Sequence, residues 1–175
     1  MQARPREPEA QIEPLQAAQL HVAQYVRQYG RFEPLWRLQD GVNACAYDAQ
    51  LDLLRGATIV TDLDGDGRSE TTFMYTLSCR ARRDPAATDL KLVLYDGPAK
   101  YTLHGFAATL SAEGQATPPP PANPCCLDQL TPAQREQAYQ RGEHRGRYRH
   151  ENDFRLKPEL LAFARQHWLK FCAVE

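Results

Sequence analysis

The chain has 175 residues, 42% of them hydrophobic and 25% charged, and a formal net charge of −1 at pH 7. That is enough chain for one domain with a sizeable core, at an ordinary globular composition. The near-neutral balance excludes a global field that would attract nucleic acid or an anionic membrane. No apolar run approaches the roughly 18 residues that a spanning helix needs.

Residues 1–14 are polar and proline-rich, with no apolar period, and are expected to form a flexible N-terminal tail. They lack the apolar stretch of a secretory signal. Two locations stay open: the periplasm or cell envelope, if a leader has been removed, or the cytoplasm. The rest of the chain, 15–175, is expected to be a single α+β domain.

Residues 15–39 fit two periods. Leu15, Ala18, Val22, Tyr25, Val26 and Tyr29 mark a helical stripe, whereas Leu20, Val22 and Val26 alternate with an interruption at Gln24. Gln28-Tyr29-Gly30-Arg31 reads as a turn, and Phe32, Pro34, Trp36 and Leu38 follow on one side of an extended run, so a hairpin is predicted. Tyr47, Ala49, Leu51 and Leu53 alternate next, Arg55-Gly56 turns, and Ala57–Thr61 is a β-branched strand. Further strands are predicted at 71–77, at 89–95 and, after the Asp96-Gly97 turn, at 100–105. The β-rich part is thus placed at 15–112, as one antiparallel sheet of about six to eight strands.

Residues 113–126 contain Pro118–Pro121, which favour polyproline II and predict a stiff surface connector. The part at 127–175 is predicted helical. Thr131-Pro132-Ala133-Gln134 has the form of a capping box with Pro in the first turn, and Gly142 ends that helix. A second helix opens at Lys157-Pro158-Glu159, with Leu160, Leu161, Phe163, Ala164, Trp168 and Phe171 as the face that packs on the sheet.

The most specific motif lies between two predicted strands. Asp62-Leu63-Asp64-Gly65-Asp66-Gly67-Arg68-Ser69-Glu70 sets carboxylates at positions 1, 3, 5 and 9 of a tight loop. Alternate side chains of such a loop converge on one point, which is how a chain wraps oxygens around a hard cation such as Ca²⁺. The expected ligands are Asp62, Asp64, Asp66, the backbone carbonyl of Arg68, and Glu70. An EF-hand would need Glu at position 12, which here is Phe73, so the loop belongs between strands. Without a cation, these four acids repel one another.

This strand–loop–strand unit resembles the calcium loops of integrin-type FG-GAP and related propeller-blade repeats. A propeller needs four or more blades, and the chain carries one such loop and no internal repeat. A wider resemblance runs from Trp36 to Gly105. It is carried by residues 59–67, by Thr72–Arg80, by Asp89-Leu90-Lys91-Leu92 and by 100–105. These resemble an uncharacterised bacterial family that bears a surface-polysaccharide-biosynthesis label. The resemblance implies an envelope setting but no mechanism.

Other features carry less chemistry. Arg145, Arg147, Tyr148 and Arg149 form a basic, aromatic-containing stretch that could meet an acidic protein partner. Cys45 and Cys79 sit near strand ends and could bridge; Cys125 or Cys126 could pair with Cys172; or the thiols could be free. The five histidines show neither HxH nor HExxH spacing, and the sequence has no nucleophile elbow, P-loop or GxGxxG.

The expectation is therefore a non-enzymatic calcium-binding protein of the bacterial envelope that acts through protein binding. Its specific form would be an immunity protein against a secreted antibacterial toxin. The alternative is an accessory protein or enzyme of surface-polysaccharide metabolism, in which Trp36, Tyr75 or Tyr95 would stack on sugar rings. Nucleic acid is not expected as a partner.

Overall fold

The computed structural model describes residues 15–80, 88–111, 113–117 and 119–174. The expected tail at 1–14 lies outside them. The predicted hairpin is present as β1 (Gln16–Gln28) and β2 (Arg31–Cys45), joined at Tyr29-Gly30, both with positive φ. Gln24, the residue that broke the apolar alternation, faces inward. Its Oε1 accepts hydrogen bonds from Trp36 Nε1 (2.8 Å) and Thr71 Oγ1 (3.1 Å). An inward polar group survives there because it is paired.

The predicted single sheet is in fact divided. β1 and β2 form their own two-stranded sheet. A five-stranded sheet has the order β3 (Asp48–Leu53), β5 (Glu70–Arg80), β6 (Asp89–Asp96), β7 (Ala99–Phe106). β4 (Ile59–Thr61) pairs with the start of β5, while β3 pairs with its second half. Residues 70–76 of β5 are buried on both faces, as expected of a strand with a layer on either side.

Strand alternation sends the two faces of this sheet into separate cores. Phe73, Tyr75, Val93 and Tyr95 meet Trp36 with Leu20, Val22 and Leu38 of the hairpin. Met74, Leu90, Leu92, Leu94 and Leu103 meet Leu160, Ala164 and Trp168 of the second helix. The molecule is thus a three-layer α+β arrangement of hairpin, sheet and helix. Of the predicted stripe on β2, Trp36 and Leu38 pack inward, but Phe32 and Pro34, nearer the turn, are exposed.

The proline-rich segment is not a bare connector. β8 (Ala108–Leu110) pairs with β9 (Ala116–Thr117), and also in parallel with the terminal strand β10 (Ala173–Val174). The first helix, α1 (Pro132–Gln140), carries the full capping box at Thr131 and Gln134. The second, α2 (Pro158–Phe171), buries Leu160, Ala164, His167 and Trp168. His167 Nε2 lies 2.8 Å from the Ala57 carbonyl, which ties α2 to the segment before β4.

Candidate metal centre

The loop at 62–69 closes the β4–β5 hairpin, whose last pair is Thr61 with Glu70. Leu63 packs against the helix-side core and anchors the loop inward. Gly65 and Gly67 have φ of 72° and 79°, which lets the chain coil tightly. Asx-type hydrogen bonds then fix the carboxylates: Asp66 N donates to Asp64, Gly67 N to Asp62 and Arg68 N to Asp66.

One carboxylate oxygen each from Asp62, Asp64, Asp66 and Glu70 lies within 4.8 Å of the other three. Oxygens on opposite sides of a bound Ca²⁺ are roughly 4.6–5.2 Å apart. The four groups are therefore spaced to surround one ion. The aspartates reach in from the exposed side, and Glu70 forms the floor.

Glu70 is fully buried. Its Oε2 accepts from Leu63 N at 2.6 Å and from Thr61 Oγ1 at 3.4 Å. Its Oε1 has no hydrogen-bond partner among the described residues. A buried carboxylate oxygen without a partner is costly unless a cation completes it. Two cationic side chains already reach the loop. Arg68 Nε pairs with Asp66 Oδ2 at 3.0 Å, from an exposed position. The amide and guanidinium of Arg68 hold the Asp66 carboxyl below the usual carboxylate range.

The second cation comes from far along the chain. Lys157, at the N-terminus of α2, places Nζ 3.3 Å from Asp64 Oδ2 and 3.1 Å from Asp96 Oδ2. Asp96 ends β6 directly opposite Glu70 in the β5–β6 register. The hydrogen bonds to Asp96 and then Asp64 push the lysine above its ordinary range. Sequence reading found the loop acids but not this pair. Asp96 looked like part of a turn, and nothing local links Lys157 to a residue 93 positions earlier.

The other predicted residues are placed as follows. Cys45 and Cys79 are joined by a disulfide. Cys172 is a free, buried thiol, so the expected pairing of Cys125 or Cys126 with it is not made. Burial pushes the Cys172 thiol up to about 11.

The basic stretch is mostly structural. Residues 146–149 run along β7, with Phe106 N donating to Arg147 O and Arg149 N to His104 O. Residues 124–128 pair along their other side, through Tyr148 N to Pro124 O and Leu127 N to Tyr148 O. Tyr148 is fully buried, edge-on to Trp168. Arg147 donates to the Cys125 carbonyl. Arg145 is half-buried, and only Arg149 of the four is exposed.

The aromatics considered for sugar stacking pack on one another instead. Trp36 and Tyr95 stack at 3.9 Å between ring centroids, and Tyr75 is 1% exposed. Beside them Asp40 accepts from Tyr75 and Lys91. Burial pushes Asp40 up. The hydrogen bonds from Lys91, Tyr75 and the Gly41 amide, with the Lys91 charge, outweigh that and leave it below the usual carboxylate range.

No protein-family model, curated protein or solved structure matches this chain. No helix among the described residues is long and apolar enough to cross a membrane.

Proposed function

We propose that this is a calcium-stabilised binding protein, with Asp62, Asp64, Asp66, the Arg68 carbonyl and Glu70 as ligands. The observation that carries the reading is the convergence of four carboxylates, one of them the fully buried Glu70, whose Oε1 has no hydrogen-bond partner among the described residues. An all-oxygen donor set suits a hard cation, and a flexible, partly exposed loop suits Ca²⁺ better than the stricter octahedron of Mg²⁺. The ion's role is structural. It neutralises the loop and ties the β4–β5 hairpin shut.

The Cys45–Cys79 disulfide supports an oxidising compartment, the periplasm or envelope. Exposed Tyr25, Tyr29, Phe32, Leu53 and Val60 along the hairpin side support action through a protein partner. An immunity role against a secreted toxin is the specific form of that reading. A stable complex with the product of a neighbouring gene, formed in calcium, is its test. The polysaccharide alternative loses its stacking platform, because Trp36, Tyr75 and Tyr95 are buried against each other and the hairpin.

Calorimetry on chelator-stripped protein tests the site. One Ca²⁺ per chain should bind and raise the melting temperature, with Mg²⁺ weaker. Asp62→Ala should abolish both effects. Absence of binding by the wild type at millimolar calcium would reduce the loop to an acidic turn.

A further inference from the structure

Four carboxylates converge on the 62–70 loop, and a fifth, Asp96, stands across the strand pair from Glu70. Lys157 bridges the two groups. Its ammonium touches Asp64, a proposed ligand, and Asp96, which is outside the ring of four. The lysine side chain is 30% exposed, and Asp64 and Asp96 are 20% and 15% exposed, so solvent screening of this bridge is incomplete. Lys157 also opens α2, whose Leu160, Ala164 and Trp168 form the helix layer of the core.

We propose that Lys157 is a built-in competitor of the divalent cation. It shares Asp64 with the ion and withdraws onto Asp96 when the ion binds. The inference rests on the reading of the loop as a cation site and adds how that site is regulated. A carboxylate oxygen facing a divalent ion gives up its contact with an ammonium, because the two cations repel. Asp96 supplies a second anchor, so the ammonium keeps one partner in either state. The lysine therefore lowers cation affinity without leaving Asp64 uncompensated in the unbound state. Affinity at the loop and docking of the start of α2 become linked, and linkage is reciprocal: whatever Lys157 subtracts from calcium binding, calcium subtracts from the Lys157–Asp64 contact.

The size of the effect follows from charge and distance. With Nζ 3.3 Å from the Asp64 oxygen, the ammonium would stand roughly 5–6 Å from an ion bound to that carboxylate. At that separation, even with water-like screening, a unit charge weakens binding of a divalent ion by about tenfold. Withdrawal onto Asp96 reduces this, so several-fold to tenfold is the expected range.

Calcium titrations of wild type, Lys157→Met, Lys157→Gln and Lys157→Arg read this out. The two neutral variants should bind Ca²⁺ several-fold to tenfold more tightly and show a larger calcium-induced rise in melting temperature. Lys157→Arg, which keeps the charge, should stay near wild type. Lys157→Gln keeps a hydrogen-bonding arm, and stands in if the Met variant does not fold by near-ultraviolet circular dichroism. If the neutral variants melt lower but bind with unchanged affinity, Lys157 only holds the helix; this proposal then fails and the metal site stands. If neither wild type nor any variant binds at millimolar calcium, the metal site itself fails, and this proposal with it.

Discussion

At the scale of the residue, two carboxylates show how surroundings decide what an acid does. Glu70 has one oxygen committed to the Leu63 amide and the other without a partner among the described residues. Asp40 is held by donors on three sides, Tyr75, Lys91 and the Gly41 amide. Glu70 is therefore the better candidate for metal binding, and Asp40 for a structural role between layers. Asp40 also predicts a pH dependence. Its folded value lies below its unfolded one, so the stability it contributes is present above the ordinary carboxylate range. That contribution is lost as pH falls through the depressed folded value. Denaturant melts of wild type against Asp40→Asn should show the variant less stable at pH 7, with the gap closing towards acid pH. A gap that does not change with pH would deny Asp40 this role.

At the scale of the element, the tightest approach is where residues 146–149 cross β7. A Cβ at Gly105 would meet the Arg147 carbonyl oxygen at 2.0 Å and the Tyr148 Cα at 2.4 Å, both backbone atoms that cannot swing aside. Gly105→Ala should therefore destabilise the fold by about 3 kcal/mol or more, beyond the usual range for one extra methyl group. Urea unfolding measures this, and a loss under about 1 kcal/mol would mean that the crossing segment shifts freely. The same crossing explains why the arginine-rich stretch does not form a charged surface. Its backbone is used as a strand-like rail between β7 and residues 124–128. That leaves Tyr148 inside the core and Arg147 occupied with a carbonyl.

At the scale of the whole molecule, the disulfide and the acidic loop lie at opposite ends of β5. Cys45 ends β2 and Cys79 lies near the end of β5, so their bond links the hairpin layer to the central sheet. The bridged residues are 34 apart in sequence, for which the chain-entropy account gives a loss of about 4 kcal/mol on removal. Replacing both by Ala should lower the denaturant midpoint accordingly while leaving calcium affinity unchanged, because the loop sits at the opposite end of β5. A change in calcium affinity would show that the two ends are coupled.

The local features were legible in the sequence because local chemistry sets them. Period-2 alternation and the Tyr29-Gly30 turn gave the hairpin, and Thr131 with Gln134 gave the start of α1. The acid spacing from Asp62 to Glu70 gave the loop, since alternate side chains of a tight turn converge whatever lies around them. Tertiary structure alone decided the rest. It divided one expected sheet into two layers, because residues 73 and 74 must face different cores. It buried Cys172 as a free thiol. It brought Lys157 onto Asp64 and Asp96, a contact set by where α2 docks rather than by any neighbouring residue. Spacing along a chain fixes which groups a turn can gather, but only packing fixes which distant charge comes to rest against them.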